Sequence, residues 1–171
     1  MTEFRIWHTS RDPHHCAFRM LSLLLTSRQS LPIGKLRILD MYFLYPPLLH
    51  RLSLPTEEKA KFRELKVTRP EKNFVRLPGT ASVWQDLQVF QSTALKQLAG
   101  RGLLNRDALE SQNALLDVDL VPPTLIKRAG EQSHEEKKLL NFLTQDVAKI
   151  PFSGKSGLVK RAGIPARGPV Q

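Results

Sequence analysis

Two histidines, the only cysteine and an aspartate lie within five positions near the start of the chain, in the stretch DPHHCAFRML. Such residues can bind a metal ion, and a cysteine beside a histidine can act as a nucleophile. The spacing does not suit a metal, because His14 and His15 point about 100° apart on a helix. Zinc also needs about four ligands, and the chain has no second cysteine. We therefore interpret Asp12 as an N-cap and Pro13 as the first residue of a helix.

A nucleophilic role for Cys16 is no better supported, since Cys16 lies in the most apolar predicted helix and burial raises the pKa of a thiol. The segment SGKSG, residues 153–157, ends like a phosphate-binding loop. The full loop needs a glycine five residues before Gly154, and that position is Lys149. The stretch SHEEKK has no second histidine for the zinc-protease pattern. The sequence thus predicts no catalytic residue, no cofactor and no metal site, and we expect no enzyme activity.

Length, charge and hydropathy narrow the class of protein. The 171 residues suit one domain, and 41% hydrophobic residues are enough for a core. One cysteine fits a cytoplasmic setting, and the run MLSLLL is too short to cross a membrane. The net charge of +10 favours a polyanion or an acidic protein as partner. The surplus of positive charge lies at the front, in a connector over 51–80 and in a tail without acids.

The apolar pattern predicts a mainly helical α+β domain over residues 1–150, with a winged-helix-like core and a small β-sheet. A tail over 151–171, rich in Gly, Pro and basic residues, is expected to be mobile alone and ordered on binding. The domain is predicted to consist of a helical hairpin over 1–50, a charged connector over 51–80, and a winged-helix-like part with a C-terminal helix over 81–150.

Short strands are predicted at three places in the chain. The stretch FRIWH, residues 4–8, alternates apolar and polar residues, and a second strand is expected around Phe74 and Val75. The third is ALLDVDLV, in which Leu116, Val118 and Leu120 alternate. Preceded by a helix and a tight turn, this strand is typical of the end of a winged-helix module.

Local patterns also predict where two later helices begin and end. Ser82 and Gln85 have capping-box spacing at the start of one helix, and Ser133 and Glu136 have it at the start of another. Gly100 is expected to be the left-handed residue that ends the first of these.

Asp40 is the one acidic residue of an apolar helix predicted over 31–49. We expect it to accept a hydrogen bond from a backbone N–H or to pair with an arginine such as Arg37. A catalytic role is not expected.

The sequence does not decide whether the chain binds DNA. The candidate recognition helix, 82–99, has Lys96 as its only basic residue. Its glutamines could contact the edges of DNA bases or could simply be solvated, and they are Gln85, Gln88, Gln91 and Gln97. Any contact is expected with the phosphate backbone of double-stranded DNA, without sequence preference. A basic surface that docks on an acidic protein has equal support. The candidate phosphate contacts are Lys96, Arg101, Arg106, Lys155, Lys160, Arg161 and Arg167.

The stretch FRIWHTSRDPHHCAFRMLSLL, followed by KLRILDMYFLYPPLL, resembles the middle-component family of bacterial ABC three-component systems, which includes the accessory subunit of Lamassu-type defence. The ending GLVKRAG, residues 157–163, is similar to that of the family. The resemblance implies a non-catalytic accessory subunit that bridges an SMC-like or Rad50-like ABC ATPase and an effector nuclease. The alternative is a free winged-helix transcriptional regulator that binds DNA as a dimer. The candidate partner interface consists of Phe18, Leu21, Leu25, Arg37, Tyr42 and Tyr45.

Overall fold

The computed structural model describes residues 9–72 and 76–165. The strands predicted over 4–8 and around Phe74 and Val75 lie outside these residues, as does Arg167. The α-helices are α1 (Pro13–Ser27), α2 (Ile33–Leu44), α3 (Thr56–Glu64), α4 (Thr80–Gly100), α5 (Arg106–Glu110), α6 (Pro123–Gly130), α7 (His134–Gln145) and α8 (Leu158–Arg161). Short 3-10 helices cover Thr9–Arg11, Pro46–Arg51, Pro70–Lys72, Val118–Leu120 and Val147–Lys149.

The sheet consists of β1 (Leu31–Pro32) and β2 (Asn113–Ala114), which pair antiparallel with Leu31 opposite Ala114. The prediction of a mainly helical α+β chain with a small sheet is thereby confirmed. The strand predicted over ALLDVDLV is wrong beyond its first residues. Leu116 makes a single bridge to Leu104, and the chain then turns into a 3-10 helix. Since β2 pairs with a strand far away in the sequence, the winged-helix arrangement is not confirmed.

Helix α1 lies at the centre of the core and packs against α2, α4 and α7. Its Cys16, Met20 and Leu23 have no exposed surface. A helix that is apolar on nearly all sides needs cover on all sides, and here the cover comes from the same chain. Most of the apolar surface of α1 is therefore buried without a partner protein.

Two of the predicted helix starts are confirmed. Asp12 caps α1, since its Oδ1 accepts a hydrogen bond of 2.8 Å from the backbone N–H of His14. At the start of α7, the backbone N–H of Ser133 donates to Glu136 and the backbone N–H of Glu136 donates to the Ser133 hydroxyl. Each capping pattern involves only residues within four positions of one another, so it can be predicted from the sequence.

The predicted boundaries of α4 are wrong at both ends. The helix already begins at Thr80, so Ser82 lies inside the first turn and makes no capping box. At the other end Gly100 is still helical, and the left-handed residue is Gly102, with φ +71°. A turn at that position returns Leu103 to the helix end, where its N–H donates to the Leu98 carbonyl. Both leucines are buried there, and their burial favours the later turn.

The tail beyond residue 150 is part of the core as far as Ile164. Leu158 is fully buried in α8, and Ala162, one turn later, is also buried. The turn before α8 needs glycine at 157, because a Cβ there would lie 2.4 Å from the Ser153 backbone. The domain boundary at residue 150 stays a prediction, and the buried side chains show that the segment as far as Ile164 contacts the core. The few apolar residues of this basic segment have helical spacing, which lets them reach the core together.

Candidate functional site

The most prominent polar feature of the described core is a network centred on Asp40, which has no exposed surface. Arg19 on α1 donates from Nε to Asp40 Oδ1 at 2.7 Å and from Nη2 to Oδ2 at 3.1 Å. Gln91 on α4 donates from Nε2 to Oδ2 at 2.9 Å. The Cys16 thiol adds a weak contact of 3.6 Å to Oδ2. These contacts join three helices through one carboxylate.

The expectation for Asp40 is correct in kind, but Arg37 is not its ion-pair partner. Arg37 donates from Nε to Gln91 Oε1 at 3.2 Å and from Nη2 to the Gln88 carbonyl at 3.2 Å. Its guanidinium also lies 5.7 Å from the ring centre of Trp84. Arg37 therefore connects α2 to α4, whereas the ion-pair partner of Asp40 is Arg19 on α1.

The Asp40 network connects helices of the core, and its polar groups are already hydrogen-bonded to one another. Both oxygens of Asp40 already accept hydrogen bonds, and the arginine and glutamine partners are buried as well. Burial raises the pKa of the Cys16 thiol, and the negative charge of Asp40 raises it further. A thiol in this setting is not ionised near neutral pH and is a poor nucleophile. Among residues 9–72 and 76–165, no group of three or more His, Cys, Asp or Glu could hold a metal ion.

One of the four glutamines of α4, Gln91, is not available to read DNA bases. Gln91 is completely buried in the network. Gln88 is half-buried, and its backbone carbonyl accepts a hydrogen bond from Arg37. Of the four glutamines, Gln85 is exposed and Gln97 is half-buried. Helix α4 thus uses part of its polar side to attach to α2.

The predicted phosphate contacts occupy separate elements. Lys96, Arg101, Arg106, Lys155 and Lys160 are exposed, in keeping with a role at the surface. Arg161 is half-buried and donates to the carbonyls of Ser53 and Ser156, so it holds the tail in place.

Arg101 lines a depression that we call the basic cleft, which has a volume of about 500 Å³. It lies between the start of α1, the end of α4 and α6, and the exposed His14 and Arg128 contribute to it, together with the half-buried Asp12. The Arg128 guanidinium stacks 5.3 Å from the ring centre of Phe18. Arg128 could not be predicted as a site residue, because no sequence pattern connects α6 with α1.

The predicted partner interface is only partly at the surface. Leu21 and Tyr42 are buried core residues in this chain, because the apolar hairpin is covered by α4 and α7. Phe18, Leu25 and Tyr45 are half-buried and line three different depressions. Phe18 lines the basic cleft.

Leu25 lines the largest depression that we describe, the apolar groove, with a volume of about 1050 Å³. The groove lies between the end of α1, the segment 115–118, α6 and α7. The groove could not be predicted from local sequence patterns, because its walls come from distant parts of the chain. Its apolar lining consists of Leu24, Leu25, Leu115, Leu116, Val118, Ile126, Ala129 and Leu140.

Helix α6 separates the two depressions. Leu125 and Arg128 line the basic cleft, whereas Ile126 and Ala129 line the apolar groove. The helix is attached to α1 by the Arg128–Phe18 contact, and Gln132 just beyond it donates to the Ser22 hydroxyl. This part of the chain therefore presents two separate depressions side by side.

No helix among the described residues is both long enough and apolar enough to span a membrane.

The chain matches the model of a known protein family. The family model of the ABC-three component (ABC-3C) system Middle Component 5 matches residues 5–166. No curated protein and no solved structure matches the chain. The matched range includes the Asp40 network, the basic cleft and the apolar groove.

Proposed function

We propose that this chain, which belongs to the Middle Component 5 family of ABC three-component systems, bridges the ATPase and the effector of such a system. The family makes it an accessory subunit that works with partner components in a multi-subunit complex. In our proposal the ATPase is SMC-like or Rad50-like, the effector is a nuclease, and the complex is a cytoplasmic defence of Lamassu type against phages and plasmids. The observation that carries the proposal is the family match over residues 5–166.

A non-catalytic role is supported by the chemistry of the described residues. Asp40, the most deeply buried carboxylate, is saturated by Arg19 and Gln91, and the Cys16 thiol is held in its neutral form. What remains at the surface is suited to contact. A bridge needs at least two binding surfaces, and we assign this role to the basic cleft and the apolar groove, which are two separate depressions.

DNA binding enters the proposal only as backbone contact without sequence preference. Exposed basic residues could neutralise phosphates, and they are Lys96, Arg101 and Arg106, with Lys155 and Lys160 in the tail. Such binding would weaken steeply as salt rises, because each phosphate contact releases counterions. The burial of Gln91 argues against base reading by α4 and so weighs against the transcriptional-regulator alternative.

The test is co-expression of the full chain, carrying an affinity tag, with the two other components of its system. We expect both components to co-purify with the tagged chain, and we expect the ATPase and effector to lose their association when the chain is omitted. The purified chain alone should neither hydrolyse ATP nor cleave DNA. The proposal would be wrong if the tagged chain captured neither component, or if the other two assembled equally well without it.

A further inference from the structure

Two large apolar side chains that line the apolar groove are exposed. Val118 is 50% exposed and Ile126 is 40% exposed, and both line the groove. Leu120, which is 61% exposed, follows Val118 in the same 3-10 helix. Large apolar side chains exposed singly are ordinary, but a cluster beside a groove of this size marks a contact surface.

The charge at the groove is one-sided. Among the described residues that line it, Arg28 and Lys137 carry positive charge, and no aspartate or glutamate is present. Arg28 is the C-cap of α1 in a left-handed conformation, and Lys137 lies in the second turn of α7. The nearest acids in sequence, Asp117 and Glu131, adjoin lining residues without lining the groove themselves. The lining also contains uncharged polar residues, namely Ser22, Thr26, Ser27, Gln29, Gln132, Asn141 and Gln145. Exposed apolar side chains with positive charge beside them match an amphipathic ligand that carries negative charge along its edge.

The shape of the groove favours a helix as the ligand. Three of its four walls are the helices α1, α6 and α7, and the strands β1 and β2 do not contribute to it. A groove between helices accepts the apolar stripe of an amphipathic helix, whose anchors recur every three or four residues.

We infer that the apolar groove binds an amphipathic helix of a partner component, whose apolar stripe is flanked by acidic residues. The inference rests on the proposed function, because it takes the partner from the same complex. The apolar anchors of the partner helix cover Val118 and Ile126, and its acidic flank pairs with Arg28 and Lys137. Burial of the apolar anchors supplies affinity, and the charges set orientation and rate of encounter.

The experiment uses the full chain and the two other components of the system, with the association constant measured for each variant. Val118→Glu and Ile126→Glu should each weaken association at least about tenfold, because they place a charge in the apolar contact. Val89→Glu is the matched control, since Val89 is 70% exposed on α4 and does not line the groove. The control should bind within about twofold of the unmodified chain, as expected for a residue outside the contact.

A second pair of variants tests the acidic flank. Lys137→Glu should weaken association severalfold, whereas Lys138→Glu, an exposed neighbour on the same helix that does not line the groove, should leave it nearly unchanged. Zero-length carbodiimide coupling should join the Lys137 amine to an acidic residue of the partner helix. Stronger binding by Lys137→Glu would overturn the inference, because the flank would then be basic.

The outcomes separate this inference from the proposed function. If the unmodified chain binds its partners and Val118→Glu and Ile126→Glu bind equally well, the inference is wrong and the bridging role stands. If the unmodified chain binds neither component, both are wrong. Unfolding curves of each variant should match that of the unmodified chain, because glutamate at these exposed positions stays solvated. A variant that unfolds early is replaced by Val118→Ser or Ile126→Ser, for which the same direction of change is expected.

Discussion

Arg19 and Asp40 form a two-point ion pair inside the helical core, with distances of 2.7 Å from Nε to Oδ1 and 3.1 Å from Nη2 to Oδ2. The pair connects α1 to α2, and Gln91 extends the connection to α4. A buried ion pair contributes little net stability compared with apolar residues of the same volume, but it is costly to break on one side. We regard it as the element that fixes how these helices pack.

Arg19→Met should lower the free energy of unfolding by about 3–5 kcal/mol, because Asp40 is left charged and unpaired in the core. Urea denaturation measures the change. The double variant Arg19→Met with Asp40→Leu should recover most of the loss, since the buried carboxylate is removed together with its ion-pair partner. Lys61→Met, which breaks an ion pair of 2.7 Å between Lys61 and Asp146 at the surface, should cost far less. Equal effects of the buried and surface changes would contradict this account.

Stability should depend on pH through His15. Burial lowers the pKa of His15, and the adjacent positive charge of Arg19 lowers it further, against smaller opposing effects of Asp12 and Asp40. Below a pH of about 6.5 the unfolded chain takes up a proton that the folded chain resists. The free energy of unfolding should therefore fall as the pH drops from about 7 to about 5. His15→Gln should make this slope shallower, and an unchanged slope would show that His15 is not the cause.

The two capping patterns of the sequence provide a matched pair. Ser133→Ala removes a hydroxyl that accepts from Glu136 and should cost about 1 kcal/mol in the free energy of unfolding. Ser82→Ala should cost nothing measurable, because Ser82 lies within α4 and alanine suits a helix better than serine does. Thermal or chemical denaturation of both variants measures the difference. A similar loss in both would mean that α4 begins at Ser82.

Cys16 should resist thiol reagents in the folded protein. Burial and the neighbouring Asp40 raise its pKa, and its side chain is inaccessible. Labelling with a chromogenic disulfide reagent should be slow under native conditions and complete within the mixing time in denaturant. Fast labelling of the native protein at neutral pH would reopen the possibility of a reactive cysteine.

The tail should contribute directly to stability. Leu158→Ala deletes a fully buried side chain of α8 and should cost about 2–5 kcal/mol in the free energy of unfolding. Lys160→Ala, an exposed change in the same helix, is the control and should have little effect. Equal stability of the two variants would show that the segment is not attached to the core in solution.

The sequence by itself determined the features that depend on neighbouring residues. The cap by Asp12 and the capping box of Ser133 and Glu136 are formed within four positions, so their residue types and spacing are sufficient. The burial of α1 also follows from its composition, since an apolar helix must be covered. What the sequence left open was whether the cover came from a partner or from the same chain.

The tertiary structure alone decided the contacts between distant residues. Asp40 has Arg37 three residues before it on the same helix, yet it pairs with Arg19, which is 21 residues away. The reason is that Asp40 faces α1, whereas Arg37 reaches Gln91 on α4. Likewise β2 finds its partner in β1, and Leu158 reaches the core from the tail. Such contacts depend on how whole helices pack, and local spacing does not contain that information.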